Sequence, residues 1–392
     1  AVAGPGIFGT QFYGKNDIEG QRYTLRMRVL IGAVLMSAAM LIFGLFDTNL
    51  ISLYLRSNSA PESLAATLAY GKSYMSIMLF TAIPFAAGQV YSSALRECEE
   101  TKIPMIGSIS AVGINLILDY ILIFGKFGFP RLGVQGAAIA TLVAKSVEAG
   151  VIIIWAHTHT NRIKCIKGLY RGFKIPWDLS KRVIIKSLPL FFNEFLWAYG
   201  MTTVAQSYAI RGIEVVAAQN ISGTMSNLFS VIYIQLGSAI SIIVGQRLGA
   251  GKLKEAKDYD NKMIAFSLMV CLGVSIVMLP IAGVFPRLYN TEDNIRKLAS
   301  FFIMVQACVM PLWSYSNSCY FTLRSGGNTI ITFIFDSVFT WVIMIPLVYV
   351  LTRFTTLPIH TVYILVTSSE IIKVIMGYFM VKSDRWINTI VS

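Results

Sequence analysis

The sequence predicts an all-α polytopic membrane protein: a two-lobe parallel repeat with six helices per lobe when complete. Three observations predict it. Only 14% of the 392 residues are charged and 55% are hydrophobic, with a mean hydropathy of +0.64. Ten separate segments are apolar over a bilayer's width. Short motifs also recur in the same order in the two halves. Soluble domains carry about 25% charged residues, and one soluble core cannot bury this much apolar surface at this length. Lipid as the solvent removes the difficulty.

A bilayer crossing needs roughly 20 mostly apolar residues. The ten segments are 29–52, 69–94, 103–125, 133–156, 183–209, 215–245, 263–285, 298–322, 330–352 and 358–381. All are expected to be helices, because lipid offers backbone groups no hydrogen-bond partner. The chain opens on an apolar stretch that reads as the end of another helix, preceded by no signal peptide.

Lys and Arg in the loops set orientation. Residues 14–28 carry Lys15, Arg22, Arg26 and Arg28. Residues 96–102 carry Arg96 and Lys102, and residues 247–262 carry Arg247, Lys252, Lys254, Lys257 and Lys262. The longest loop, 157–182, is the most basic, with Arg162, Lys164, Lys167, Arg171, Lys174, Lys181 and Arg182. The intervening loops are poorer, one of them holding only Arg56. The basic set is therefore read as cytoplasmic, together with the C-terminus. The net charge of +13 then faces anionic lipid, and nucleic acid is not an expected partner.

Gln11-Phe12-Tyr13-Gly14-Lys15 ends one apolar stretch and enters a basic one, and Gln246-Arg247-Leu248-Gly249-Ala250-Gly251-Lys252 does the same later. Leu95-Arg96 followed by Thr101 returns as Leu323-Arg324 followed by Thr329. At that spacing Pro130 falls on Pro358 and Lys145 on Lys373. Parallel repeats around an axis along the membrane normal are a transporter architecture. The expected organisation is an N-lobe over 1–156, a cytoplasmic inter-lobe loop over 157–182 and a C-lobe over 183–392. About 65 residues run from Arg182 to Gln246, but only ten precede Gln11. The repeat therefore implies that a first helix and most of a second lie upstream of Ala1.

Several function classes find no support. The five cysteines form no CxxC and no metal-spaced cluster. His157 and His159 lack acidic or Cys partners. Gly249-Ala250-Gly251-Lys252 lacks the P-loop spacing. No metal or organic cofactor and no enzymatic chemistry is expected. Energy would come from an ion gradient, where one charge crossing 100 mV yields about 2.3 kcal/mol.

Longer motifs resemble the multidrug-and-toxin-extrusion (MATE) family. They are Leu95-Arg96 through Thr101-Lys102-Ile103-Pro104, the run from Asn115 to Gly125, and Gly133-Val134-Gln135-Gly136 through Thr141. Gln246 to Gly251 resembles that family's helix-8 end, and Pro189 to Gly200 its bacterial seventh helix. The resemblance implies twelve helices in two lobes around a cavity. It further implies export of cationic or amphipathic organic compounds against entering H+ or Na+, by a membrane-embedded monomer. In the family an N-lobe cation site draws on an Asp of helix 1, a Tyr of helix 4, and an Asn and an Asp of helix 5; Tyr74, Asn115 and Asp119 match the last three, and the helix-1 Asp would lie in the expected upstream segment.

The residues themselves mark similar places. Asp119 is an ionisable group inside a span, which is costly enough to be functional by default. Asn115 lies one turn earlier on the same face, and Ser108 extends the stripe. Such a pair can hold a small cation or a shared proton, although a packing hydrogen bond would also accommodate it. Glu194 lies mid-span with Trp197 and Met201 on its face, a surface suited to an organic cation. Some family members pair this Glu with a helix-10 Asp, and segment 298–322 has no acid. Lys145 and Lys373 each have a carboxylate three residues away, Glu148 and Glu370, either as self-neutralising pairs or as charges that act on Asp119 or Glu194. Asp336 reads as interfacial. Trp313, Tyr315 and Asn317 are further cavity candidates. The competing reading is a lipid-linked saccharide flippase of the same superfamily, which would use Lys72, Lys145 and Lys373 toward pyrophosphate.

Overall fold

A computed structural model describes residues 2–52, 61–172 and 174–391; Arg56 lies outside them. The described residues are helical with no strands. In chain order the helices are α1 Ala3–Gly14, α2 Ile18–Leu45, α3 Asp47–Ser52, α4 Pro61–Glu97, α5 Lys102–Phe124 and α6 Val134–Thr158. After the linker come α7 Trp177–Ala209, α8 Ile213–Gly249, α9 Leu253–Val284, α10 Asp293–Ser325, α11 Thr329–Arg353 and α12 Ile359–Lys382. Every one of the ten expected segments is helical. Nine described helices are long and apolar enough to cross a membrane. α7 has the length, 33 residues, but Asn193, Glu194, Thr202, Thr203 and Gln206 make its central turns too polar to meet the same standard.

Two basic stretches read as loops need correcting: of residues 247–262, those from Leu253 on already belong to α9, and the start of α2 shifts likewise. Residues 14–28 were expected as a basic loop, but the chain turns at Asn16 (φ 62°) and is helical from Ile18. The Asp17 carboxylate caps that helix by accepting from the Gly20 N–H at 2.8 Å. Arg26 and Arg28 are consequently buried on α2. Arg26 donates to the carbonyls of Gly168, Leu169, Arg171 and Lys174. Arg28 pairs with Glu97 at 2.5 Å and donates to Ser93. The spacing of charges looked like a loop because both arginines find their partners far away in sequence.

The chain divides into two compact units. The first holds the residues up to Gly9 and Asp17–Ser180. Its core joins Leu25 of α2 to Val90, Tyr91 and Leu95 of α4 and Ile152 of α6. The basic linker supplies Ile163, Cys165, Ile166 and Leu169 to that core, so a segment rich in Lys and Arg is anchored by apolar side chains. Tyr91 shares its hydroxyl with His157 (2.9 Å) and Tyr170 (2.5 Å).

The second unit holds Thr10–Asn16 and Lys181–Ser392. Its α10 is the central helix, packed by α8, α9 and α12. In lipid such packing rests on close contact rather than on expulsion of water, and small residues permit it. A Cβ on Gly14 would overlap the Gln246 carbonyl, and one on Gly249 would overlap the Gln11 carbonyl. The repeated Gln-x-x-Gly motif is thus a reciprocal contact between two helix ends. Gln11 also binds the tail that follows α12. Its amide donates to the carbonyls of Ser325 (3.1 Å) and Asn388 (3.2 Å) and accepts from the Ile390 N–H (2.8 Å). Lys15 donates to the Val391 carbonyl, Thr389 to the Leu248 carbonyl, and the Trp386 ring is 1% exposed.

Candidate ion and substrate site

Within the first unit, α5 and α6 form a tight hairpin. Gly136 stands where a Cβ would meet the Leu122 carbonyl, and the Leu132 N–H donates to that same oxygen at 2.9 Å. α5 turns Val112, Leu116, Ile117 and Tyr120 outward and keeps Asn115 and Asp119 half-buried. Asn115 donates to Thr141 of α6 across a long 3.5 Å. Oδ1 of Asp119 is shielded from solvent yet has no hydrogen-bond partner among the described residues. Ser108 does not extend this pair; it donates to Glu148 at 2.7 Å. Lys145 donates to the other Glu148 oxygen, also at 2.7 Å. One carboxylate therefore takes both the lysine and the serine, and Asp119 is left without a cation. Tyr74 sits on α4 and is 37% exposed.

In the second unit, neighbouring residues of α7 face opposite ways. Glu194, Trp197 and Met201 form an exposed carboxylate-and-aromatic face. Asn193 is 1% exposed and turns inward. Its amide nitrogen donates to Asp336 Oδ2 at 3.0 Å, and its oxygen accepts from Ser337 at 2.7 Å. Lys373 of α12 closes the group with a 2.6 Å bond to Asp336 Oδ1. Its ammonium also lies over the rings of Phe335 and Phe339.

Two expectations change here. Asp336 is not interfacial; it is the acidic centre of an internal network. Lys373 makes its 2.6 Å bond to Asp336 of α11, where sequence spacing had offered Glu370. The reason lies in α11, which widens into π turns over Ile334–Val338 and Thr340–Met344. A π turn inserts one residue per turn and often marks a functional position. Here it sets Asp336 between α7 and α12, and no sequence periodicity reports it. Of the further candidates, Trp313 lines a small cleft with Phe229, Tyr233, Met278 and Met310, and Asn317 is packed against Gly237.

Sequence comparison agrees with this helical architecture. The family model described as MatE matches residues 3–121 and 189–350. The chain belongs to the MatE family. The probable multidrug resistance protein NorM of Thermotoga maritima is 24% identical over 317 residues, covering 80% of this chain and 67% of its own length. The probable multidrug resistance protein YoeA of Bacillus subtilis is 24% identical over 373 residues, covering 92% and 77%. A MOP superfamily transporter from Pyrococcus furiosus, described as having a binding pocket of reversed polarity, shares the fold with a TM-score of 0.84. It is 17% identical over 97% of this chain and 82% of its own. A multidrug resistance MATE family transporter in an outward-facing conformation gives 0.83 at 17% identity, over 98% and 83%. This MatE chain is a multi-pass membrane protein.

Proposed function

We propose that this protein exports cationic or amphipathic organic compounds from a bacterial cell across the inner membrane, by antiport with H+ or Na+. The lobes 1–156 and 183–392 alternate access around the joining loop 157–182, with that loop and the C-terminus cytoplasmic. Asp119 and Asn115, with Tyr74, bind the coupling ion in the N-lobe. Glu194 and Trp197 form the organic-cation face of the C-lobe, and Lys373 holds Asp336 beside it. The carrying observation is the buried Asp119 oxygen with no partner, an open valence on an ionisable group inside a span. Support for a monovalent ion comes from the solved MATE transporter ClbM in complex with Rb+, which shares the fold at a TM-score of 0.75.

The flippase reading needs free basic groups for pyrophosphate. Lys145 is taken by Glu148 and Lys373 by Asp336, while Lys72 stands 3.8 Å from Asp47. Each of its three lysines thus has a carboxylate at hand, which favours the exporter. The test is efflux of a fluorescent cationic dye from proteoliposomes holding the product of the whole reading frame, under an imposed pH or sodium gradient. Asp119→Asn is expected to abolish gradient-driven efflux and leave thermal unfolding unchanged. Dye that stays put under both gradients, with lipid-linked sugar crossing instead, would move the assignment to the flippase.

A further inference from the structure

Asp260 lies two turns into α9 and is 1% exposed. Ala256 and Ile264 flank it on its own face and belong to an apolar cluster with Ile240, Val244 and Leu248 of α8. From α10 it meets Thr322, with Tyr315 and Cys319 as the nearest weak acids. Nearby charges are committed elsewhere and exposed. Lys262 pairs with Asp258 and Lys257 with Asp384, both at 2.6 Å. Arg247 of α8 lies over the Tyr259 ring and 4.0 Å from Glu255. Among the described residues no basic group forms an ion pair with Asp260.

Hydrogen counting admits a protonated state. The Thr322 hydroxyl has one proton and two oxygens within reach: Asp260 Oδ1 at 2.5 Å and the Ser318 carbonyl at 3.0 Å. A threonine hydroxyl donates once. If the threonine donates to Ser318, the short bond to Asp260 needs a proton from the carboxyl. That proton completes a chain from Asp260 through Thr322 to the Ser318 carbonyl. Among the described residues, Asp260 Oδ2 and the Ser318 hydroxyl, both buried, have no hydrogen-bond partner, so beyond the Thr322 hydroxyl nothing there stabilises a negative charge. The first unit offers the contrast. At the equivalent helix pair of the repeat, α2 against α4, the buried acid is Glu97 and Arg28 neutralises it. At α9 against α10 a proton must do what the arginine does.

We infer that Asp260 is a proton-binding site of the transport cycle, separate from Asp119 and from the Asp336 network. It loses its proton when α9 and α10 admit water. This rests on the exporter reading and assigns H+ as a coupling ion. The test combines infrared difference spectroscopy with transport. The wild-type protein in lipid should show a protonated-carboxyl carbonyl band at neutral pH that bleaches on alkalinisation. Asp260→Asn should remove that band. Thr322→Val, which takes away the hydroxyl bonded to Asp260, should shift its frequency without removing it. In proteoliposomes Asp260→Asn should cut pH-driven dye efflux at least tenfold while gradient-free dye counterflow persists. A band that survives in Asp260→Asn, or unchanged pH-driven efflux in that variant, would overturn the assignment. Wild-type protein that moves no dye would sink the exporter reading alone, since the infrared bands still report on Asp260.

Discussion

Lys373 and Asp336 show how a buried ion pair constrains substitution. Their side chains are 14% and 13% exposed. Removing one partner strands a charge, which costs about 3–5 kcal/mol. Lys373→Met is therefore expected to lower the thermal unfolding temperature sharply, and Lys373→Met with Asp336→Leu to recover most of the loss. A double variant that loses as much as the two single variants added together would show that the pair is not coupled. Asp119 behaves differently, because no partner would be stranded by its neutralisation. Part of this was readable in sequence: a carboxylate in an apolar run identifies itself, as Asp119 and Glu194 do. The partner of Lys373 was not. Glu370 is three residues away and Asp336 is on another helix, so the choice depends on the rotation of α11. Asp260 escaped notice because charged Lys257, Asp258 and Lys262 surround it in sequence, making a buried acid look like part of a solvated turn.

At the level of elements, the two Gln-x-x-Gly ends make a strong demand on size. Gly14 and Gly249 each face a backbone carbonyl that cannot retreat as a side chain would. Gly249→Ala is expected to destabilise by about 1–3 kcal/mol, the usual cost of overpacking, read as a lower midpoint in thermal unfolding. A neighbouring control, Gly273→Ala, has nothing within 4 Å and should be neutral or slightly stabilising in its helix. Ten helices were legible because twenty apolar residues leave lipid-embedded backbone no other choice. The start of α2 was misplaced by eleven residues, since an arginine that solvates carbonyls of a distant linker looks the same in sequence as one in water. The π turns of α11 are invisible to any pattern of apolar spacing.

For the whole molecule, the loop charges carry a topology that labelling can check. After Cys308, the exposed native thiol, is replaced by Ser, a cysteine at Lys167 should react with a membrane-impermeant maleimide only in inside-out vesicles. Reaction in right-side-out vesicles would invert the assignment. The tail behind α12 bears on how the protein can be handled. Its backbone from Asn388 to Val391 is held by Gln11 and Lys15, its Thr389 hydroxyl donates to the Leu248 carbonyl, and Trp386 is sunk beneath it. A fluorescent reporter fused directly behind that tail would tug on the same bonds, so its brightness would follow production while the protein beneath it was loosened. The tip between α5 and α6, where Phe127 is 82% exposed and Gly128 is open, is the gentler place for an affinity handle.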